Sequence, residues 1–478
     1  MGYTGNRINR KRVSTYRMQA SLVYGFFERR AKVLEERITN EKVFMILVKF
    51  SLPLILSGIL QQLYSWVDAF IVGNVEGENA LAAIGATGVI IGFFVMVMTG
   101  FTGGLGILFA RKYGAAETDR LSAILSTFLF AVGGVFLVLS VAGVALSGAM
   151  LRLLNTPAEI FVLSKRYLQL SFIGIPFLAV YNVYFAALRA IGDSKAPFFA
   201  ILLSSAVNFV LDVLFVAAMG WGVVGAALAT TVAQILMTIF IICYAAKKHS
   251  MLRFSLSRGR TLVDRKMLRE GLRLGIPPMI QSSVNALGNM VLQNFMNGFG
   301  TQTVAAITTA YRVDTVALLP VVHMGTAIST MAAQSDGAGD KKRIFRFFKA
   351  GTALAAVISV VLTLFVVFMG QYLVSMFGVG EEAALIGGNF FRRFGCFYPI
   401  YGLCMAFRGA LEGIGDVAYS SVIGIVALIS RIIMSYTLVG LWDNMVIAYA
   451  EGLSWCVMLV LYFVRFAVKR RDLGVQGR

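Results

Sequence analysis

Charge is what this chain has least of. Only 14% of its 478 residues are charged, against 58% hydrophobic, and 43 Lys and Arg stand against 24 Asp and Glu. A soluble domain carries about a quarter charged residues, so a water-exposed surface over the whole chain is excluded. There are two histidines, His249 and His323, too far apart to suggest a ligand pair, and a lone His reads as a satisfied interior residue. The four cysteines, Cys243, Cys396, Cys404 and Cys456, fall inside apolar runs with no CxxC spacing, which gives neither a disulfide framework nor a zinc site. No HExxH, GxSxG or nucleotide-binding signature interrupts the apolar runs, so an enzyme, an ATP-driven machine and an organic cofactor are not expected.

What is present is apolar length. Runs of roughly 20 residues, each enough to cross a hydrocarbon core of about 30 Å as a helix, recur down the chain. They predict an all-α polytopic membrane protein with twelve transmembrane helices near residues 50–72, 81–109, 121–148, 165–188, 197–219, 223–246, 272–296, 303–333, 346–370, 387–408, 418–439 and 445–467. The basic residues explain themselves through topology. The first 49 residues hold 11 Lys or Arg, and the connections ARKYG, RAIGDSK, DKKRIFRFFK and VKRRD are basic, whereas GNVEGEN, MGWG, NGFGTQ and LVGLWDN have none. By the positive-inside rule both termini are cytoplasmic, with Arg152, Lys165 and Arg166 as the exception. Confinement of charge to loops also argues against nucleic acid as a partner.

A shift of 223 residues lays ALAAIGA at Ala80 on TVAAITT at Thr303, KYGAAE at Lys112 on the stretch around Gly337, and LRAIGD ending at Asp193 on LEGIGD ending at Asp416. Two pseudo-symmetric six-helix lobes around a central cavity follow, both copies entering the membrane in the same direction. The expected division is a basic cytoplasmic segment over 1–43, an N-lobe over 44–246, a linker over 247–271, a C-lobe over 272–468 and a basic tail over 469–478.

Asp212 is the only formal charge between Lys195 and Lys247. Rises of 1.5 Å per residue put Asp68, Asp212 and Thr230 at one depth, and Asn208 is one turn from Asp212 on the same face. Two carboxylates, a carboxamide and a hydroxyl suit a small hard cation such as sodium, or a shared proton. The repeat places Arg431 opposite Asn208, Ser435 opposite Asp212 and Leu453 opposite Thr230, so this polar group belongs to one lobe only. The alternative is that the acids cap or pair structurally. Of the remaining membrane charges, Arg312, Asp314, Arg431 and Glu451 read as packing pairs, with Arg431 and Glu451 as candidate partners.

At these residues the sequence resembles the multidrug and toxic compound extrusion transporters, particularly the bacterial branch related to staphylococcal-type exporters. The likeness runs over about residues 45–467 through LPLILSGILQQLYSWVDAFIVGNV, ARKYGAAETDRL, NFVLDVLFV, GWGVVGAALATTVAQ, RLGIPP, TAYRVD and LEGIGD. It implies a monomeric antiporter of the bacterial plasma membrane, among membrane lipids, that expels lipophilic cationic small molecules in exchange for sodium or protons. The implied coupling site is Asp68, Asn208, Asp212 and Thr230, with Gln61 and Asn182 as further polar lining and Pro53 as the bending point of the first span. A flippase for lipid-linked or other amphipathic cargo is the alternative, and Arg312 and Arg431 exposed in a cavity would favour it.

Overall fold

Apolar side chains that can be buried only against one another or against lipid leave the backbone no partner but itself, and the chain answers with helices. The computed structural model describes residues 40–254 and 263–472, and among them there is no strand. The N-terminal segment up to residue 39, residues 255–262 of the linker and residues 473–478 of the tail lie outside the described residues. Twelve helical spans run in order: α1 (Asn40–Glu76), α2 (Glu78–Gly114), α3 (Thr118–Leu153), α4 (Ala158–Ala190), α5 (Lys195–Asp212, continued by a π-helical turn over Val213–Ala218) and α6 (Gly222–Lys248). The second half holds α7 (Arg265–Asn297), α8 (Thr301–Ala317 and Leu319–Gly337), α9 (Lys341–Ser375), α10 (Glu381–Phe394 and Tyr398–Gly413), α11 (Val417–Thr437) and α12 (Val446–Asp472). The described residues from Leu47 onward form one compact unit.

The twelve expected spans are all present, with three differences. The helix of α8 bends by 40° at Leu318. A 3-10 turn at Gly395–Phe397 breaks α10. The linker is shorter than expected because α7 starts at Arg265, where Asp264 caps it by accepting from the N–H groups of Lys266 and Met267. Among the described residues, nine helices are long and apolar enough to cross a membrane singly, and the bent α8 makes ten. Of the other two, α7 carries Arg, Gln and Asn along its length, and the two pieces of α10, 14 and 16 residues long, are each too short to cross alone.

Packing repeats with the sequence. In the first lobe α4 packs on α2, α3 and α6, and α5 on α6; in the second, α10 packs on α8, α9 and α12, and α11 on α12. Outward-pointing Val357, Val361, Leu364 and Phe368 on α9, the last 79% exposed, form the kind of apolar stripe that only lipid would cover.

The lobes meet near the Lys- and Arg-rich end. There α2 lies on α7 so closely that a Cβ at Gly104 would overlap the Leu274 carbonyl, and Gly114 and Gly337 each abut the other's helix, at Gln334 and Arg111. These two glycines are repeat equivalents, so the crossing sits on the pseudo-twofold axis. Around it Arg111 pairs with Asp336, through Nε at 2.7 Å, and reaches the Ile414 carbonyl at 3.2 Å, while its counterpart Gln334 donates to the Ala190 carbonyl at 2.8 Å. Farther from this end α2 and α7 separate, leaving a crevice of about 450 Å³ between Gly88–Met96 and Ala286–Asn297.

The motif pair LRAIGD and LEGIGD closes each lobe at the same end. Asp193 accepts from Tyr244 at 3.0 Å, Lys248 at 3.2 Å and the Ala196 N–H at 3.2 Å, and contacts His249 Nε2 at 2.9 Å. Asp416 accepts two bonds from Arg465, at 2.5 and 3.1 Å. Burial pushes the Asp193 carboxyl up, but the bonds from His249, Ala196, Lys248 and Tyr244 outweigh it and hold the group below the usual carboxylate range. A depressed folded-state pKa stabilises above the unfolded value of about 4 and ceases to do so as pH falls through the folded value. Asp193→Asn is therefore expected to lower stability at pH 7 by about 2 kcal/mol, the scale of hydrogen bonds to a charged group. The gap between wild type and variant should close on acidification below about pH 4, read from thermal unfolding in detergent across pH.

Candidate functional site

Position 68 lies on α1, positions 208 and 212 on the last turns of α5, and position 230 on α6, two helices that pack together next to α4. All four side chains meet. The carboxyl groups of Asp68 and Asp212 lie within hydrogen-bonding reach of each other. Asp212 is fully buried and Asp68 is 7% exposed, and each has one carboxylate oxygen, Oδ1, buried without a hydrogen-bond partner. Asn208 is 1% exposed. With its amide turned so that both ends are satisfied, the nitrogen donates to Asp212 Oδ2 at 2.7 Å and the oxygen accepts the Thr230 N–H at 3.3 Å.

Two aromatic residues complete the pocket and were not foreseen. Tyr64 donates to Thr230 Oγ1 at 3.4 Å, and Tyr167 of α4 stands in the electrostatic field of both acids. Tyr64 is one turn from Asp68, a spacing visible in the sequence; Tyr167 comes from a distant span and left no such signal. Gln61 is exposed on α1 and Asn182 donates to Leu178 O at 2.8 Å and Met98 Sδ at 3.3 Å, so neither hydrogen-bonds with the quartet. Pro53 sits inside α1, its carbonyl accepting from Ser57 Oγ at 2.7 Å.

Directly after Asp212 the helix widens into the π-helical turn Val213–Ala218. Such turns concentrate at functional sites because an inserted residue loosens the regular ladder. Here it lies beside a buried acid with an unmet oxygen. Two carboxylates this close in low dielectric repel unless a proton or a metal cation stands between them. No Lys or Arg acts on either acid among the described residues.

The second lobe solves the same problem internally. Arg431, the counterpart of Asn208, donates to Tyr311 at 2.8 Å and pairs with Glu451 at 3.0 Å, and Tyr311 bonds Glu451 at 2.8 Å. Asp314 accepts from Tyr398 at 2.6 Å, whereas Arg312 is exposed, so the two charges of YRVD have different surroundings. The guanidinium of Arg431 is a built-in cation at the position where the first lobe has Asn208.

Comparison with known proteins agrees with this architecture. A MatE family model matches residues 53–214 and 277–437, two copies that begin at Pro53 and Pro277. The probable multidrug resistance protein YpnP of Bacillus subtilis (strain 168) is 29% identical over 81% of this chain and 86% of its own length. The multidrug export protein MepA of Staphylococcus aureus (strain bovine RF122 / ET3-1) is 24% identical over 88% of this chain and 94% of its own. Among solved structures, the outward-facing conformation of a multidrug resistance MATE family transporter of the MOP superfamily superposes with a TM-score of 0.84 at 21% identity, covering 91% of this chain and 97% of that one.

Proposed function

The chain belongs to the MatE family of membrane transporters, and on that basis we propose that it exports amphipathic organic cations from a bacterial cell through its plasma membrane, driven by entry of sodium or protons. The observation that carries the coupling is the buried Asp68 and Asp212 pair, with an unmet oxygen on each acid and, among the described residues, no protein cation beside it. An ion from outside fills that need, and its arrival and departure change the charge, hence the packing, of α1 against α5 and α6. With the basic end of the helices in the cytoplasm, as the positive-inside rule has it, the lobes are sealed inward and parted outward. Export then requires the Arg111 and Gln334 contacts to separate in the opposite state, giving alternating access. The soft lining of the crevice at Phe93, Met96 and Met290 suits varied apolar cargo.

Of the two arginines whose exposure in a cavity would favour lipid-linked cargo, Arg431 is enclosed with Glu451 and Tyr311, and Arg312, though exposed, does not line the crevice. The deciding experiment is efflux of ethidium from proteoliposomes under a sodium or a proton gradient imposed separately. Movement driven by one gradient supports the reading and names the ion. No gradient-driven movement in correctly oriented protein would overturn it.

A further inference from the structure

Where the lobes meet, a chamber of about 270 Å³ opens between them, lined by both. Its charges are Arg189 at the end of α4 and Arg408 and Glu412 on α10, with hydroxyls from Thr99, Ser282 and Thr326 in the wall. Arg189 and Glu412 are repeat equivalents that the pseudo-twofold axis brings to one space. Yet they do not pair: Glu412 Oε1 is taken by Arg408 Nε at 2.7 Å and Ser420 Oγ at 3.1 Å. Glu412 is near enough to attract Arg189 but forms no ion pair with it, and Arg189 Nε is buried with no hydrogen-bond partner. His323, also in the field of Arg189, brings no negative charge. Two guanidinium groups against one carboxylate leave the chamber one positive charge in excess.

We propose that the chamber is an oxyanion subsite of the transport cleft: Arg189 takes the carboxylate or phosphate of a zwitterionic amphipathic cargo. The inference rests on the exporter reading and narrows its cargo, since the acids of the first lobe are left to the coupling ion. Planar guanidinium donors with hydroxyls around them match such a group in charge and in geometry.

The test compares a rhodamine ethyl ester, a plain cation, with its free acid, a zwitterion, by fluorescence anisotropy on the full chain in phosphatidylcholine nanodiscs. Arg189→Gln is expected to lower the acid-to-ester affinity ratio about tenfold, the scale of one charged hydrogen-bonded contact, and Arg189→Lys to recover part of it. An unchanged ratio in Arg189→Gln overturns the proposal. Inorganic phosphate should displace the acid from wild type more readily than the ester; failure to do so also overturns it, and needs no variant to fold. If phosphatidylglycerol in the disc displaces the acid selectively, the occupant is a lipid headgroup and the cargo assignment falls. Binding is read without a gradient, so failure of ethidium export leaves this result independent.

Discussion

Asp212→Asn and Asp68→Asn are each expected to reduce gradient-driven ethidium efflux roughly a hundredfold, equivalent to about 2.7 kcal/mol. An amide has nearly the shape of the acid but neither exchanges a proton nor neutralises a metal cation. Each variant removes one of two repelling charges from a pocket closed to water, so the melting temperature should hold or rise. Loss of transport with unaltered or higher stability is the signature of a coupling group. Normal efflux in both variants, at wild-type expression, would sink the site. Ser435→Ala, at the position matching Asp212, should stay close to wild type, because Ser435 Oγ only bonds the Arg431 carbonyl of its own helix, at 2.9 Å.

In the second lobe the large effect is on folding. Arg431→Met strips the cation from a network in which Glu451 and Tyr311 depend on it and Asp314 lies in its field. Breaking one side of a buried pair costs about 3–5 kcal/mol, whereas removing both sides costs much less. The single variant should therefore unfold well below wild type on heating in detergent, and Arg431→Met with Glu451→Gln should recover most of the loss. Equal destabilisation in single and double variants would show that Arg431 holds something other than Glu451.

The sequence and the structure part company at identifiable places. The twelve spans, the duplication, the quartet of Asp68, Asn208, Asp212 and Thr230 and the Arg431 with Glu451 pair were all legible, since each rests on helical periodicity, depth or the 223-residue shift. Tyr167 was not, because a residue at the end of a distant span joins the site only through the packing of α4 beside α6. Asn182 entered as lining only through the family resemblance; in the fold it donates to Leu178 and Met98. Arg189 was hidden for a different reason. At the basic end every Lys or Arg reads as a topology signal, and only the axis between the lobes distinguishes one that points into a chamber.

The polarity of α7 bears on how the protein is made. Between Arg273 and Asn297 that helix carries Gln281, Asn285, Asn289, Gln293 and Asn294, and it lies on α2 and α11. Such a segment gains little by leaving the translocon for lipid alone, because polar side chains at the bilayer centre oppose partitioning. Its natural acceptor is α2, synthesised long before it. Biogenesis of the second half is then expected to draw on the first half as a template, and α7 to insert less completely in a chain lacking α2.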